Sequence, residues 1–346
     1  MGTRHWTQSY ADIPAEIDAD RYASMVDLLD AALERHASRP AFKAFGQTLN
    51  YADVDRLSRS FASYLQNKLG VRQGDRVAVM MPNLLAFPVT LLGIMRAGAV
   101  QVNVNPLYTP RELEHQLNDS GSEAIIVLEN FAHTLEQVIG KTPVKNVVIA
   151  RLGDMLGFPK GSIVNFVVKY VKKMVPDYQL PQAISFKQVL REGKGHAFQP
   201  AKQGLDDIAV LQYTGGTTGV SKGAMLSHFN LYSNARQGEA WMHGAQYRKE
   251  VFYAILPMFH AFGMTLFLTY GILKQGRLVL FPSFDVDLVL EILAGRFPPA
   301  RDAVALAEDR EERAQRLTAE QANLLKVTRL LPRPEERKIM MVISDG

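Results

Sequence analysis

The feature that most constrains this chain is a series of short apolar runs separated by helical patterns. Arg76–Met80, Ala99–Asn103, Ala124–Leu128 and Val147–Ala150 are built largely of Val, Ile, Ala and Met. Between them, apolar residues recur at helical spacing over Asn83–Ala97, from Pro110 onward, and over Asn130–Ile139. Unbroken apolar runs mark strands buried on both faces, and strands alternating with helices pair in parallel beneath helical layers. The expected fold is therefore α/β with a mostly parallel sheet. Thr109-Pro110-Arg111-Glu112 fixes one helix start, joining an N-cap, a Pro at the first helical position and a capping-box Glu. Asn50 with Asp53 starts another, with Val54, Leu57, Phe61 and Tyr64 on one face. Earlier still come a helix over Met25–His36 and a hairpin of 41–45 against 48–49 that turns at Gly46.

The chemistry is concentrated in Tyr213-Thr214-Gly215-Gly216-Thr217-Thr218-Gly219-Val220-Ser221-Lys222-Gly223. An apolar strand, Ile208–Leu211, leads in, and a helical pattern opens at Ser227. Strand, Gly/Thr-rich loop and helix together let backbone N–H groups, hydroxyls and one cation surround a polyphosphate. This is not a Walker A loop, because Ser221 rather than Gly precedes Lys222, and no G-x-G-x-x-G can be laid on it. The candidate phosphate ligands are Thr214, Gly215, Gly216, Thr217, Thr218, Gly219 and Lys222. A flexible surface turn is the blander alternative.

A second candidate is His260, in Leu256-Pro257-Met258-Phe259-His260-Ala261-Phe262-Gly263, which follows a strand over Val251–Ile255. The end of a buried strand is where open α/β sheets place ligands. The other His residues read as structural or exposed; the nearest to metal-ligand spacing, in Glu114-His115, lies on a scaffold helix.

A chain of 346 residues with 47% apolar and 21% charged residues describes a globular protein of one large or two ordinary domains. A net charge of +4, not gathered into a stripe, gives no sign of a nucleic-acid partner. With no cysteine, disulfides, thiolate metal sites and a Cys nucleophile are excluded. That usage fits a reducing cytosol, and the polar first ten residues do not read as a signal peptide. Residues 161–176 set Ile163, Val164, Phe166, Val167, Tyr170 and Val171 among Lys169, Lys172 and Lys173. Such a segment either packs on the domain with its lysines in solvent or lies on an anionic membrane surface.

The loop with its flanks, Leu211 through His228, closely resembles the phosphate-binding signature of the adenylate-forming enzymes, and of bacterial long-chain fatty acid–CoA ligases in particular. Gly74-Asp75-Arg76-Val77-Ala78-Val79-Met80-Met81-Pro82-Asn83 and Asn103-Val104-Asn105-Pro106-Leu107-Tyr108-Thr109-Pro110-Arg111-Glu112-Leu113 extend that likeness, which runs from about Tyr10 to Arg296. The resemblance implies stacked, mostly parallel sheets of an adenylation domain over 1–296, and an ATP-dependent ligase that uses Mg2+ and takes coenzyme A as co-substrate. Lys222 and His260 would be its catalytic residues here, with His260 between the acyl-adenylate pocket and the thiol entry. The enzyme would be cytoplasmic, with a possible peripheral contact to the inner face of the membrane through residues 161–176.

Near Phe297 the composition changes. Residues 297–346 hold nine Lys/Arg and nine Asp/Glu, against 30 and 26 in the preceding 296. Pro298-Pro299 marks the junction, 302–331 reads as a mixed-charge helix, and 338–343 as an apolar strand. The last nine residues resemble the metal-site strand of von Willebrand A-type domains. Segments that the resembled family uses for adenine, ribose, magnesium and the C-terminal lid have no counterpart here. The expectation is an incomplete adenylation domain with a divergent tail, and its rival is a truncated or fused, inactive remnant.

Overall fold

A computed structural model describes residues 9–10, 12–18, 22–35, 37–214, 220–242 and 244–282. The expected tail helix and strand fall outside them, as do Gly215, Gly216, Thr217, Thr218 and Gly219. Local signals set most element ends. Helix α1 (Met25–Arg35) leads to β1 (Pro40–Ala44) and β2 (Gln47–Asn50), an antiparallel hairpin turning at Phe45-Gly46, both with positive φ. Asn50 then caps α2 (Tyr51–Asn67) through a reciprocal capping box with Asp53.

Next come β3 (Arg76–Met80), α3 (Ala86–Arg96), β4 (Val100–Asn103), α4 (Pro110–Ser120), β5 (Ala124–Leu128), α5 (Ala132–Glu136) and β6 (Asn146–Ala150). Two helices differ from the sequence expectation. α3 starts at Ala86 rather than Asn83, because the Asn83 side chain is committed to another segment: it donates to the carbonyls of Ala254 and Leu256, both at 2.8 Å. The expected helix over 130–139 is broken into the 3-10 turns Glu129–Phe131 and Ile139–Lys141 on either side of α5. Glu129 turns inward to pair with Arg151 and Lys169, and Asn130 donates to the Met174 carbonyl.

The chain continues through α6 (Lys160–Phe166), which runs on as a π-helical turn to Val171, then β7 (Ile184–Ser185) and α7 (Phe186–Gly193). After these come β8 (Ile208–Thr214), β9 (Lys222–Ser227), α8 (His228–Trp241), β10 (Val251–Ala254) and β11 (Arg277–Leu280). Seven strands form one sheet in the order β7-β6-β5-β3-β4-β8-β9, parallel throughout except for β9, which is antiparallel to β8. A four-stranded sheet, β10-β11-β1-β2, joins the N-terminal hairpin to strands some 230 residues later.

Burial follows the layering. Every residue of α3 is buried, because α2 covers one side of it and the sheet the other. Gly93 permits that approach: a Cβ there would lie 2.7 Å from the Phe61 ring and 3.0 Å from the Ser58 carbonyl. Arg96, also buried, is neutralised by Asp30 and by Asp55 at 2.6 Å, and donates to the Ser58 hydroxyl at 2.5 Å. On the other face of the sheet, Val102, Val104, Ile125 and Val127 pack with Leu113 and Leu117 of α4. One compact unit covers Met1–Pro282. Among the described residues no helix is long and apolar enough to cross a membrane.

Candidate functional site

The Gly/Thr-rich stretch lies between two strands, β8 and β9, that pair with each other antiparallel. This corrects the strand–loop–helix expectation: β9 intervenes between the loop and α8. β8 and β9 pair from Ile208↔Ser227 to Thr214↔Lys222. Ser227, which caps α8 through a capping box with Asn230, therefore lies at the opposite end of the ladder from the tip. A six-residue strand separates the two by roughly 17–20 Å, too far for the helix dipole to act on a ligand at the tip. The charge at the tip comes from Lys222.

Register settles which side of the sheet that charge is on. Side chains alternate along a strand, so Thr214 shares the face of Gln212, and Lys222, directly opposite Thr214, shares it too. Both are exposed, at the carboxyl edge of the parallel strands. On the same face a buried polar relay crosses the sheet. Gln101 donates to Asn103 (2.6 Å), Asn103 to Gln212 (2.9 Å), and Gln212 to the carbonyl of Phe259 (3.2 Å). The Phe259–His260 segment is thereby tied to β8 two residues before the tip.

Asn83 holds the same segment from below. Besides its two donated bonds, it accepts from the Met258 N–H at 2.7 Å. His260 itself is exposed and caps the short turn Ala261–Gly263, with Nδ1 accepting from the Phe262 N–H at 3.4 Å. It follows β10 of the four-stranded sheet, not a strand of the seven-stranded one. The two sheets thus each contribute one candidate, and the Gln212 relay links them.

The opposite face of the hairpin rests on α4. The Tyr213 hydroxyl donates to Asp119 at 2.5 Å, and burial, followed by that hydrogen bond, raises the phenol's pKa far above its ordinary value. Tyr213 packs beneath its register partner Gly223, where a Cβ would lie 3.0 Å from the ring. His115 Nε2 donates to the carbonyl of Ser221 at 2.9 Å. Sequence reasoning placed His115 on a scaffold helix and missed this contact. It also missed Asn83, Asn103 and Gln212; amides inside apolar runs were the available signal.

Among the described residues no group of three His, Asp or Glu converges on a possible metal position. A cleft of about 490 Å3, lined in part by Asp27, Asp30, Arg96, Phe198 and Lys202, opens at the amino edge of the sheet, away from the tip. Its central charge, Arg96, is already paired, so the hairpin is the better candidate.

A family model for the AMP-binding enzymes matches residues 29–295. The chain belongs to the AMP-binding enzyme family. It is 52% identical over 296 residues to a long-chain-fatty-acid–CoA ligase of Salmonella typhimurium, covering 83% of this chain and 52% of the relative. A long-chain-fatty-acid–CoA ligase of Bacillus subtilis is 33% identical, covering 83% and 51%. The crystal structure of a long-chain-fatty-acid–CoA ligase from Archaeoglobus fulgidus superposes with a TM-score of 0.65 at 26% identity, covering 81% of this chain and 51% of that one. The chain spans about half the length of the curated relatives it matches. An α/β fold of the adenylate-forming type, expected from the sequence, is the fold observed.

Proposed function

We propose that this chain carries the triphosphate-binding half of a long-chain fatty acid–CoA ligase. In the reaction a fatty acid carboxylate attacks the α-phosphorus of ATP, forming acyl-AMP and releasing pyrophosphate. The sulfur of coenzyme A then attacks the acyl carbon, loses its proton, and AMP departs with the bonding pair. Lys222 offsets charge on the outer phosphates, Thr214 donates its hydroxyl, and Gly215, Gly216, Thr217, Thr218 and Gly219 complete the cradle. Removing one preorganised donor of this kind costs about 3 kcal/mol of transition-state stabilisation. His260 lines the acyl side. The adenylation domain extends over 1–296, with 297–346 a separate tail.

The observation that carries this reading is the pairing of Thr214 with Lys222 on the face that the Gln212 relay ties to the His260 segment. Magnesium would accompany the nucleotide, but the described residues offer no convergent acidic set for it. Titrating ATP into the chain tests the assignment. Lys222→Ala should weaken binding roughly 10-fold or more, the effect of losing a charge-assisted bond, while Lys172→Ala should not. Equal effects would sink it. Acyl-CoA formation from palmitate, ATP and coenzyme A by this chain alone is not expected.

Residues 161–176 are proposed as a peripheral contact with an anionic membrane at the cytoplasmic face. Ile163, Phe166, Tyr170 and Val171 are 57–63% exposed, and Lys172 and Lys173 flank them in solvent. Lys169 does not belong to that surface, since it pairs with Glu129. Pelleting with anionic vesicles should weaken with salt and in Lys172→Glu/Lys173→Glu; salt-independent pelleting, or none, would favour simple packing.

A further inference from the structure

His115 and Asp119 are four residues apart, on one face of α4, and each reaches a different strand of the hairpin. His115 holds the carbonyl of Ser221, immediately before Lys222. Asp119 holds the hydroxyl of Tyr213, immediately before Thr214. The helix is a firm base for both. Its N-terminus is closed by the Thr109/Glu112 capping box and its C-terminus by left-handed Gly121. Leu113 and Leu117 are buried in the core, and Gln116 donates to the Asn103 carbonyl at 2.8 Å.

β9 itself has little else to hold it. It is an edge strand with Lys222, Ala224 and Met225 exposed, and Gly223 has no side chain to pack. Its ladder to β8 leaves the end near the tip free to fray, and an edge held on one side only opens readily. The two contacts from α4 fall at that end.

We propose that His115 and Asp119 are positioning residues for the phosphate hairpin. They clamp the two stems so that Lys222 stays opposite Thr214, on the face away from α4, before any nucleotide arrives. The proposal rests on the phosphate-binding reading of the tip. Neither side chain touches the ligand. The imidazole donates through Nε2–H to a carbonyl, so a side chain with an N–H at similar reach should replace it.

The test compares His115→Ala, His115→Gln, Tyr213→Phe and Lys222→Ala in the whole chain. For the His115 and Tyr213 variants one readout is the initial rate of trypsin cleavage after Lys222, alongside the melting temperature; for all four the other is ATP affinity by calorimetry. Loss of one clamp should raise cleavage after Lys222 and weaken ATP roughly 5-fold, with little change in melting temperature. His115→Gln should recover both, and Tyr213→Phe, which removes only a hydroxyl, should resemble His115→Ala. Unchanged cleavage in His115→Ala and Tyr213→Phe would overturn the clamp, as would failure of Gln to restore it. If neither the unaltered chain nor Lys222→Ala binds ATP, or both bind it equally, the phosphate reading fails. The cleavage rates still decide the clamp.

Discussion

The central strands and the β8–β9 hairpin belong to one sheet but are positioned by different forces. β3, β4 and β5 are buried almost throughout and sit between α3 on one side and α4 on the other. Their location follows from area removed from water, which is large and non-directional. β9 is half in solvent, and the segment bearing His260 is partly exposed. Beyond the β8–β9 ladder, those parts are placed by individual hydrogen bonds made with Asn83, Gln212, His115 and Asp119, which are small in energy but specific in geometry. Scaffold and site should therefore fail differently.

The largest effect should come from the scaffold. Phe61 is fully buried against Phe186 and Gly93, so Phe61→Ala should lower unfolding free energy by about 4 kcal/mol in urea titrations. A loss below 1 kcal/mol would show that the helical layer is not packed as described. Next comes acid. The His228 ring is buried, neither nitrogen has a partner among the described residues, and burial lowers its pKa to about 4. The unfolded chain takes up that proton near pH 6.5 and the folded one only near 4, so stability is full above 6.5 and falls as pH drops between these values. The loss is on the order of 3 kcal/mol by linkage, and His228→Phe should flatten that part of the curve.

Smaller still is the change at a pin. Asn83→Ala removes the side-chain bonds of the Leu256 carbonyl and the Met258 N–H, leaves the Ala254 carbonyl only its bond from the Phe281 N–H, and should cost about 2 kcal/mol. Hydrogen exchange should quicken around 254–260 before it does in β3–β5; uniform acceleration would show that this segment and the central strands open together. At the bottom, Arg56→Ala removes an exposed i,i+3 pair with Asp53 and should shift stability by less than about 0.5 kcal/mol.

The same division explains what the sequence made legible. Caps at Asn50, Thr109 and Ser227 are local chemistry, and each stands where it was expected. The parallel strands announced themselves because burial on both faces leaves an apolar run. β9 did not: Lys222-Gly223-Ala224-Met225-Leu226-Ser227 neither alternates cleanly nor runs apolar, since an edge strand buries little. The contact of His115 with Ser221 spans 106 positions, and β1 meets β11 across more than 230. No local pattern encodes such pairings; they follow from topology. Gln101 and Asn103 were visible as polar residues inside a strand, but their partner Gln212 belongs to another.

The ladder from Ile208↔Ser227 to Thr214↔Lys222 makes the position of the lysine a matter of parity. Each step along β9 reverses which side of the sheet a side chain emerges on. Deleting a single residue between Gly223 and Leu226, Ala224 or Met225, leaves the net charge unchanged, yet with Ser227 held by its cap it turns Lys222 onto the α4 side, the side of Asp119. The charge of Lys222 is thus conserved in amount and lost in address, so the proposed phosphate contact depends on the number of residues in β9 as much as on the identity of Lys222.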